Sequence, residues 1–338
     1  MRIAVDAMGG DMGPRVVVAG AIDAALARPG EIRITLVGRE EEIRPLVGGV
    51  DPALVDIVHA SETIDMHEPP AAAIRKKKDA SISVALRMIR EGKVDAMVSA
   101  GNTGAVVASS LLTIGRLHGV SRPAISTLWP NKREGAVVLD VGANHECTPK
   151  NLVQFAVMGT VFAQTNIGVK NPRVGLLNIG EERSKGNELV RDSYALLEAD
   201  PRINFVGNVE GRDVFDGAAD VVVCDGFVGN VILKFSESIY SFLSHLVRDE
   251  IRRGVLAKAG ALLMKPAFTS IRSRLDYAEY GGAPLLGVKG VVIISHGKSS
   301  RRAIRNAVMA AARSVSTDVN RHIEERFASQ TERVASVS

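Results

Sequence analysis

The residues best suited to chemistry lie in 176–188, LLNIGEERSKGNE. An apolar run ends at Ile179, turns on Gly180, and gives way to Glu181, Glu182, Arg183, Ser184, Lys185 and Gly186 before a helical pattern opens at Asn187. Charges and glycine directly after a buried strand mark the place where α/β proteins usually bind ligands. Lys185 is the first candidate. Four other strand ends are built in the same way, namely 6–14 with Asp6, Gly9 and Gly10, 99–104 with Asn102 and Gly104, 140–144 with Asn144, and 225–230 with Asp225, Gly229 and Asn230. Glycine lets backbone N–H groups approach a ligand, and a following helix N-terminus adds partial positive charge, so the pattern favours an anion such as phosphate. In an open parallel sheet all five turns are expected at one carboxyl edge. Asp6, Gly9, Gly10, Asn102, Gly104, Asn144, Asp225 and Gly229 are therefore candidate phosphate or substrate contacts, equally able to tie loops to one another.

What is missing narrows the reaction. The first strand is not followed by G-x-G-x-x-G, and the chain has no G-x-x-x-x-G-K-[ST], H-E-x-x-H, C-x-x-C or G-x-S-x-G, so nucleotide, zinc-protease and serine-nucleophile readings lose their usual support. Nothing calls for a metal or a cofactor. Cys224, beside Asp225 at a strand end, reads either as a nucleophile or as inert packing, and packing is the commoner case; Cys147 is similar. A reaction without an enzyme nucleophile fits this inventory: phosphate attacks an acyl group while the protein cradles it and stabilises an oxyanion.

The elements that would position these turns are legible. Continuous apolar runs at 3–5, 32–37, 55–58, 94–98, 136–141, 173–179, 203–206, 220–224 and 291–294 alternate with helical patterns at 15–27, 81–90, 103–117, 152–165, 187–199, 230–253 and 299–327. This predicts a mostly parallel sheet covered by helices on both faces. No linker divides the chain, so a single α/β body over 1–327 is expected, with a helical protrusion at about 238–277 and a flexible tail at 328–338. Of 338 residues, 46% are hydrophobic and 24% charged, with 42 basic against 38 acidic side chains, a balance too mild to imply nucleic acid. Two cysteines and no signal-peptide pattern suggest a reducing, cytoplasmic setting. The uncharged run 96–115 is long enough for a membrane span, but Ser99–Gly104 turn chemistry interrupts it.

Taken together the strings VDAMGGD (5–11), IRKKKDASI (74–82), DAMVSAGNTGA (95–105), VLDVGAN (138–144), LLNIGEERSKGNE, FVGNVEGRD (205–213), DVVVCDGFVGNVILK (220–234) and YGGAPLLG (280–287) resemble the bacterial acyl-carrier-protein phosphate acyltransferases called PlsX. They cover nearly the whole chain. The resemblance implies a Rossmann-like fold akin to isopropylmalate dehydrogenase and phosphotransacetylase, a homodimer, and transfer of a long-chain acyl group from acyl carrier protein to inorganic phosphate. The acyl phosphate would feed phospholipid synthesis through a membrane glycerol-3-phosphate acyltransferase; direct contact with that enzyme is left open. The family's catalytic pair maps to Lys185 and Asn230. For Asn230 a helix N-cap is the competing role. The alternatives are a short-chain phosphotransacetylase using a coenzyme A thioester and, as a non-enzyme, a membrane-surface scaffold.

The protrusion carries its own signal. Ile239, Phe242, Leu243, Leu246, Val247 and Ile251 lie at helical spacing, followed by Leu256, Leu262 and Leu263, with Arg248, Arg252, Arg253 and Lys258 among them. The first stripe suits packing between two copies. The basic, apolar tip suits peripheral contact with an anionic membrane or an acidic carrier protein.

Overall fold

The computed structural model describes residues 1–275 and 281–335, with side chains for 1–271 and 281–328. Residues 276–277 of the expected protrusion, Tyr280 of the last family string and 336–338 of the expected tail lie outside the described residues. Eleven strands form one sheet in the order β3-β2-β1-β4-β11-β10-β5-β6-β9-β7-β8. They are β1 (Arg2–Asp6), β2 (Arg33–Gly38), β3 (Val55–His59), β4 (Ala96–Ser99), β5 (Ala124–Trp129), β6 (Ala136–Leu139), β7 (Arg173–Leu177), β8 (Asn204–Val209), β9 (Val221–Val223), β10 (Ala283–Leu286) and β11 (Val291–Ile294). Nine of them coincide with the apolar runs; β5 and β10 do not.

Those two strands decide the shape of the site. β3, β2, β1, β4 and β11 run parallel to one another, as do β6, β9, β7 and β8. Between the blocks, β11–β10, β10–β5 and β5–β6 are all antiparallel. Three reversals leave the two blocks pointing in opposite directions, so their carboxyl ends lie at opposite edges of the continuous sheet. The expectation of one shared carboxyl edge is therefore corrected, because it assumed a sheet without reversals.

Alternate strand residues face opposite sides, as the pleat requires. Ala4, Met97, Val138, Val222 and Ile294 belong to a core that crosses both blocks on one face. On the other face each block has its own core, with Ile3, Leu36 and Ile304 in one and Leu139, Phe155 and Val221 in the other. The helix expected at 299–327 is two, Arg301–Ser316 and Val319–Ala335, broken at Asp318, whose φ is 48°. The second continues through the expected tail as far as Ala335. The stretch expected to protrude consists, among the described residues, of three helical segments, the outer part of Gly226–Arg252, then Val255–Leu263 and Lys265–Leu275. No described helix is long and apolar enough to cross a membrane.

The amino ends of β7 and β9 are clamped by one ion pair. Arg173 donates from Nε and Nη2 to the two carboxylate oxygens of Asp220 at 3.0 and 2.8 Å, and its backbone N–H adds a bond of 2.9 Å. Burial alone would raise the Asp220 carboxyl; the Arg173 bonds outweigh it and hold the group below the usual carboxylate range. A depressed folded-state value contributes stability that is present above the unfolded value, about 3.9, and lost as pH falls through the lower folded one. Asp220→Asn is expected to lower stability at pH 7 and to flatten its decline as pH falls below about 4, read from urea midpoints; an unchanged acid limb would contradict this clamp.

Candidate active site

Lys185 stands in the turn after β7, and Asn230 in the first turns of the helix that follows β9; β7 and β9 are hydrogen-bonded neighbours. The two residues paired by the family resemblance thus rise from adjacent strand ends on one edge. Asn144 follows β6, the other neighbour of β9, so Lys185, Asn144, Asp225, Gly229 and Asn230 share this edge. Asp6, Gly9, Gly10, Asn102 and Gly104 follow β1 and β4 and lie at the other.

The Lys185 turn is held from behind. Asn178 Nδ2 donates to the Lys185 carbonyl at 3.1 Å, Asn208 Nδ2 donates to the Glu182 carbonyl at 3.0 Å, and Arg191 donates to the Gly186 carbonyl at 2.5 Å. These donors pull carbonyl oxygens inward. Gly186 has φ of 93°, and an added Cβ would lie 2.5 Å from Asn178 Oδ1, so this close approach requires glycine. Nearby charges are committed elsewhere: Arg183 pairs with Glu198 at 3.0 Å and covers the Tyr194 ring, while Glu181 faces Arg212 at 3.8 Å. Lys185 is exposed, and among the described residues no carboxylate pairs with it.

Asn230 is not the helix cap. Helix Gly226–Arg252 starts four residues earlier, and Asp225 caps it by accepting from the N–H groups of Phe227 and Val228 at 3.0 and 2.9 Å. The capping role is thus corrected to Asp225, whose carboxylate suits a helix N-terminus. This leaves the Asn230 amide, half-buried, beside Gly142 of the neighbouring turn: a Cβ added there would stand 3.5 Å from Asn230 Cγ.

Behind the turn 141–144 and the start of this helix sits Asp140, which falls within the 138–144 string but is not among the candidate contacts. Its buried carboxylate accepts from the backbone N–H of Ile125, Gly142, Ala143 and Asn144 at 2.7–3.1 Å, and from Asn144 Nδ2 at 2.9 Å. Burial raises its carboxyl above the ordinary value, and these bonds act against that rise. An added Cβ on Gly229 would fall 1.9 Å from the Asp140 carbonyl oxygen, and one on Gly226 2.6 Å from the carboxylate. Glycine is obligatory at both positions, because helix backbone meets the backbone of Asp140 and Asn144 in the turn after β6. The signal that could have found it is an aspartate at the end of an apolar run, the same that marks Asp6.

The other candidates have partners within the protein. Asn144 Nδ2 also donates to the Pro123 carbonyl at 2.7 Å. Asn102 caps helix Thr103–Thr113 through Ala105 N–H at 3.1 Å, and its Nδ2 faces the carbonyls of Asp65, Met66 and Glu68 at 3.0–3.3 Å. Asp6 accepts from Ser99 Oγ at 2.7 Å and Met8 N–H at 3.2 Å, its carboxyl raised by burial against those bonds. Gly9 and Gly10 pack against Gly101 and Gly297, and Gly104 against Pro70. These contacts knit the opposite edge together.

Cys224 is buried, and its thiol donates weakly to the Asp140 carbonyl at 3.4 Å. Burial and the negative charge of Asp140 push it well above its ordinary value, and burial raises Cys147 to about 11. Both are protonated at neutral pH and poor nucleophiles. Cys147→Ser is expected to keep acyl transfer within about twofold, and alkylation of Cys147 by iodoacetamide at pH 7 to be slow. Loss of turnover in Cys147→Ser would restore a thiol mechanism.

The fold and the chain's relatives agree. Two solved phosphotransacetylases share the architecture, one from Streptococcus pyogenes with TM-score 0.61 at 19% identity, over 94% of each chain, and EutD from Staphylococcus aureus with TM-score 0.58 at 17% identity, over 93% of this chain and 94% of that one. A family model described as fatty acid synthesis protein matches residues 1–322. A phosphate acyltransferase of Heliobacterium modesticaldum is 53% identical over 99% of this chain and 100% of its own length, and one of Aquifex aeolicus is 49% identical over 96% of each. The chain belongs to the phosphate acyltransferase family, and is an acyltransferase whose acceptor is phosphate.

Proposed function

We propose that the acyl donor is a long-chain acyl-acyl carrier protein, and that Lys185 and Asn230 form the catalytic pair. The observation that carries this reading is the position of an uncommitted lysine and an uncommitted amide on adjacent strand ends, each backed by rigid hydrogen bonding. A phosphate oxygen attacks the thioester carbonyl; the new C–O bond forms, the C–S bond breaks, and the departing thiolate takes up a proton from water. Lys185 holds the phosphate and offsets charge developing on the carbonyl oxygen. Asn230 orients phosphate or thioester through its amide. No enzyme nucleophile takes part, in keeping with the protonated cysteines.

The reading extends to a peripheral membrane protein acting as a homodimer. Leu256, Leu262 and Leu263 are 90, 72 and 84% exposed on helix Val255–Leu263, which buries no residue of its own. Arg252 and Arg253 pair with Asp249 and Glu250, and Arg248 and Lys258 have no carboxylate partner among the described residues. Exposed leucines with spare cations suit an anionic bilayer surface. Before the tip, Phe242, Leu243, Leu246 and Val247 are exposed as well, and offer a packing face to a second copy.

Lys185→Ala is expected to remain folded and dimeric while phosphate-dependent release of carrier protein falls about 100-fold or more; an undiminished rate would end the mechanism. Replacing Leu256, Leu262 and Leu263 by glutamate is expected to abolish flotation with anionic liposomes, and unchanged flotation would remove the membrane part.

A further inference from the structure

We infer that the first turns of helix Gly226–Arg252, together with Ile179, carry the acyl chain and set its length preference; this rests on the reading of Lys185 and Asn230 given above. Phe227, Val231 and Phe235 recur every four residues and share one side of the helix. They are 61, 53 and 65% exposed. The opposite side is occupied: Gly226 and Gly229 are buried, and Ile232 and Leu233 pack on the core. Asn230 lies between the two sides, immediately before Val231. At the neighbouring strand end Ile179, six residues before Lys185, is 82% exposed.

Single exposed apolar residues are ordinary. Four of them bordering turns otherwise built of glycine, asparagine and charge are a different matter, since an inorganic anion gains nothing from them. An acyl substrate does. With its thioester carbonyl between Lys185 and Asn230, its chain has to leave the polar turns at once, and an apolar face starts at Phe227 and continues along the helix through Val231 and Phe235. Each covered methylene favours binding by about fourfold, so the length of this face translates into preference among chain lengths. Lys234 is the one charged residue from 226 to 236. The same spacing continues into Ile239 and Leu243, where the face proposed for a second copy begins.

The test is a ratio, kcat/KM for palmitoyl-carrier protein over that for butyryl-carrier protein. Phe227→Ser combined with Phe235→Ser is expected to lower this ratio about tenfold or more. Val231→Trp, which stays apolar but fills the face, is expected to move the preferred chain to a shorter length, and it keeps the inference testable if the double variant does not fold. An unchanged ratio in the folded variants overturns the inference, and an unchanged ratio with dissociation to monomers assigns the face to a second copy instead. Parent enzyme that releases no carrier protein from either thioester refutes the underlying reading and is told apart from both outcomes.

Discussion

The edge that carries Asn230 depends on one buried carboxylate. Asp140 gathers four backbone N–H groups and one side-chain amide, and so fixes the start of β5, the turn 141–144 and the floor on which helix Gly226–Arg252 begins. A lone buried charge is costly, and this one is tolerated because nearly all its acceptor capacity is used. Asn230 inherits its place from that arrangement through Gly142 and Gly229. The Lys185 turn is built on a different principle, with Asn178, Asn208 and Arg191 holding carbonyl oxygens and leaving the cation outward.

The sheet's reversals separate what the sequence places together. Five glycine-rich turns look equivalent, yet three stand around β6, β9 and β7 and two at the far edge with β1 and β4. Asp6 resembles Asp140 in burial and in its raised carboxyl, and ties β4 to its own loop through Ser99. The two edges are therefore similar in construction. Among the described residues, one edge carries the exposed Lys185 and, at the adjacent strand end, an Asn230 amide that caps nothing.

Much of this is legible in the chain. Parallel strands buried on both faces are continuous apolar runs, and nine of the eleven strands announce themselves in that way; Asn187 and Asn102 mark the helices they cap. β5 is hidden by Ser126 and Thr127 in its middle, and β10 by Pro284, a residue that argues against a central strand. Because these are the strands that reverse direction, their weak signal also conceals the division into two edges. Asn230 reads as a cap because a short Asp-Gly start before an apolar stretch gives no clear boundary, and helix ends are the least defined part of any pattern. Strand pairing is a long-range property, while residue type and spacing are local.

Gly226 and Gly229 let the helix sit on the strand without any side chain between them. Such a joint has no cushion; Val228, Ile232 and Leu233 pack on the core in the turns that follow, and the helix buries no residue beyond Gly229. At 27 residues it is roughly 40 Å long, and a tilt of about 3° at the joint would swing the far end by roughly 2 Å. On the roles proposed above, whatever seats the distal leucines, a bilayer or another subunit, also bears on the angle at which the Asn230 amide stands over the turn 141–144.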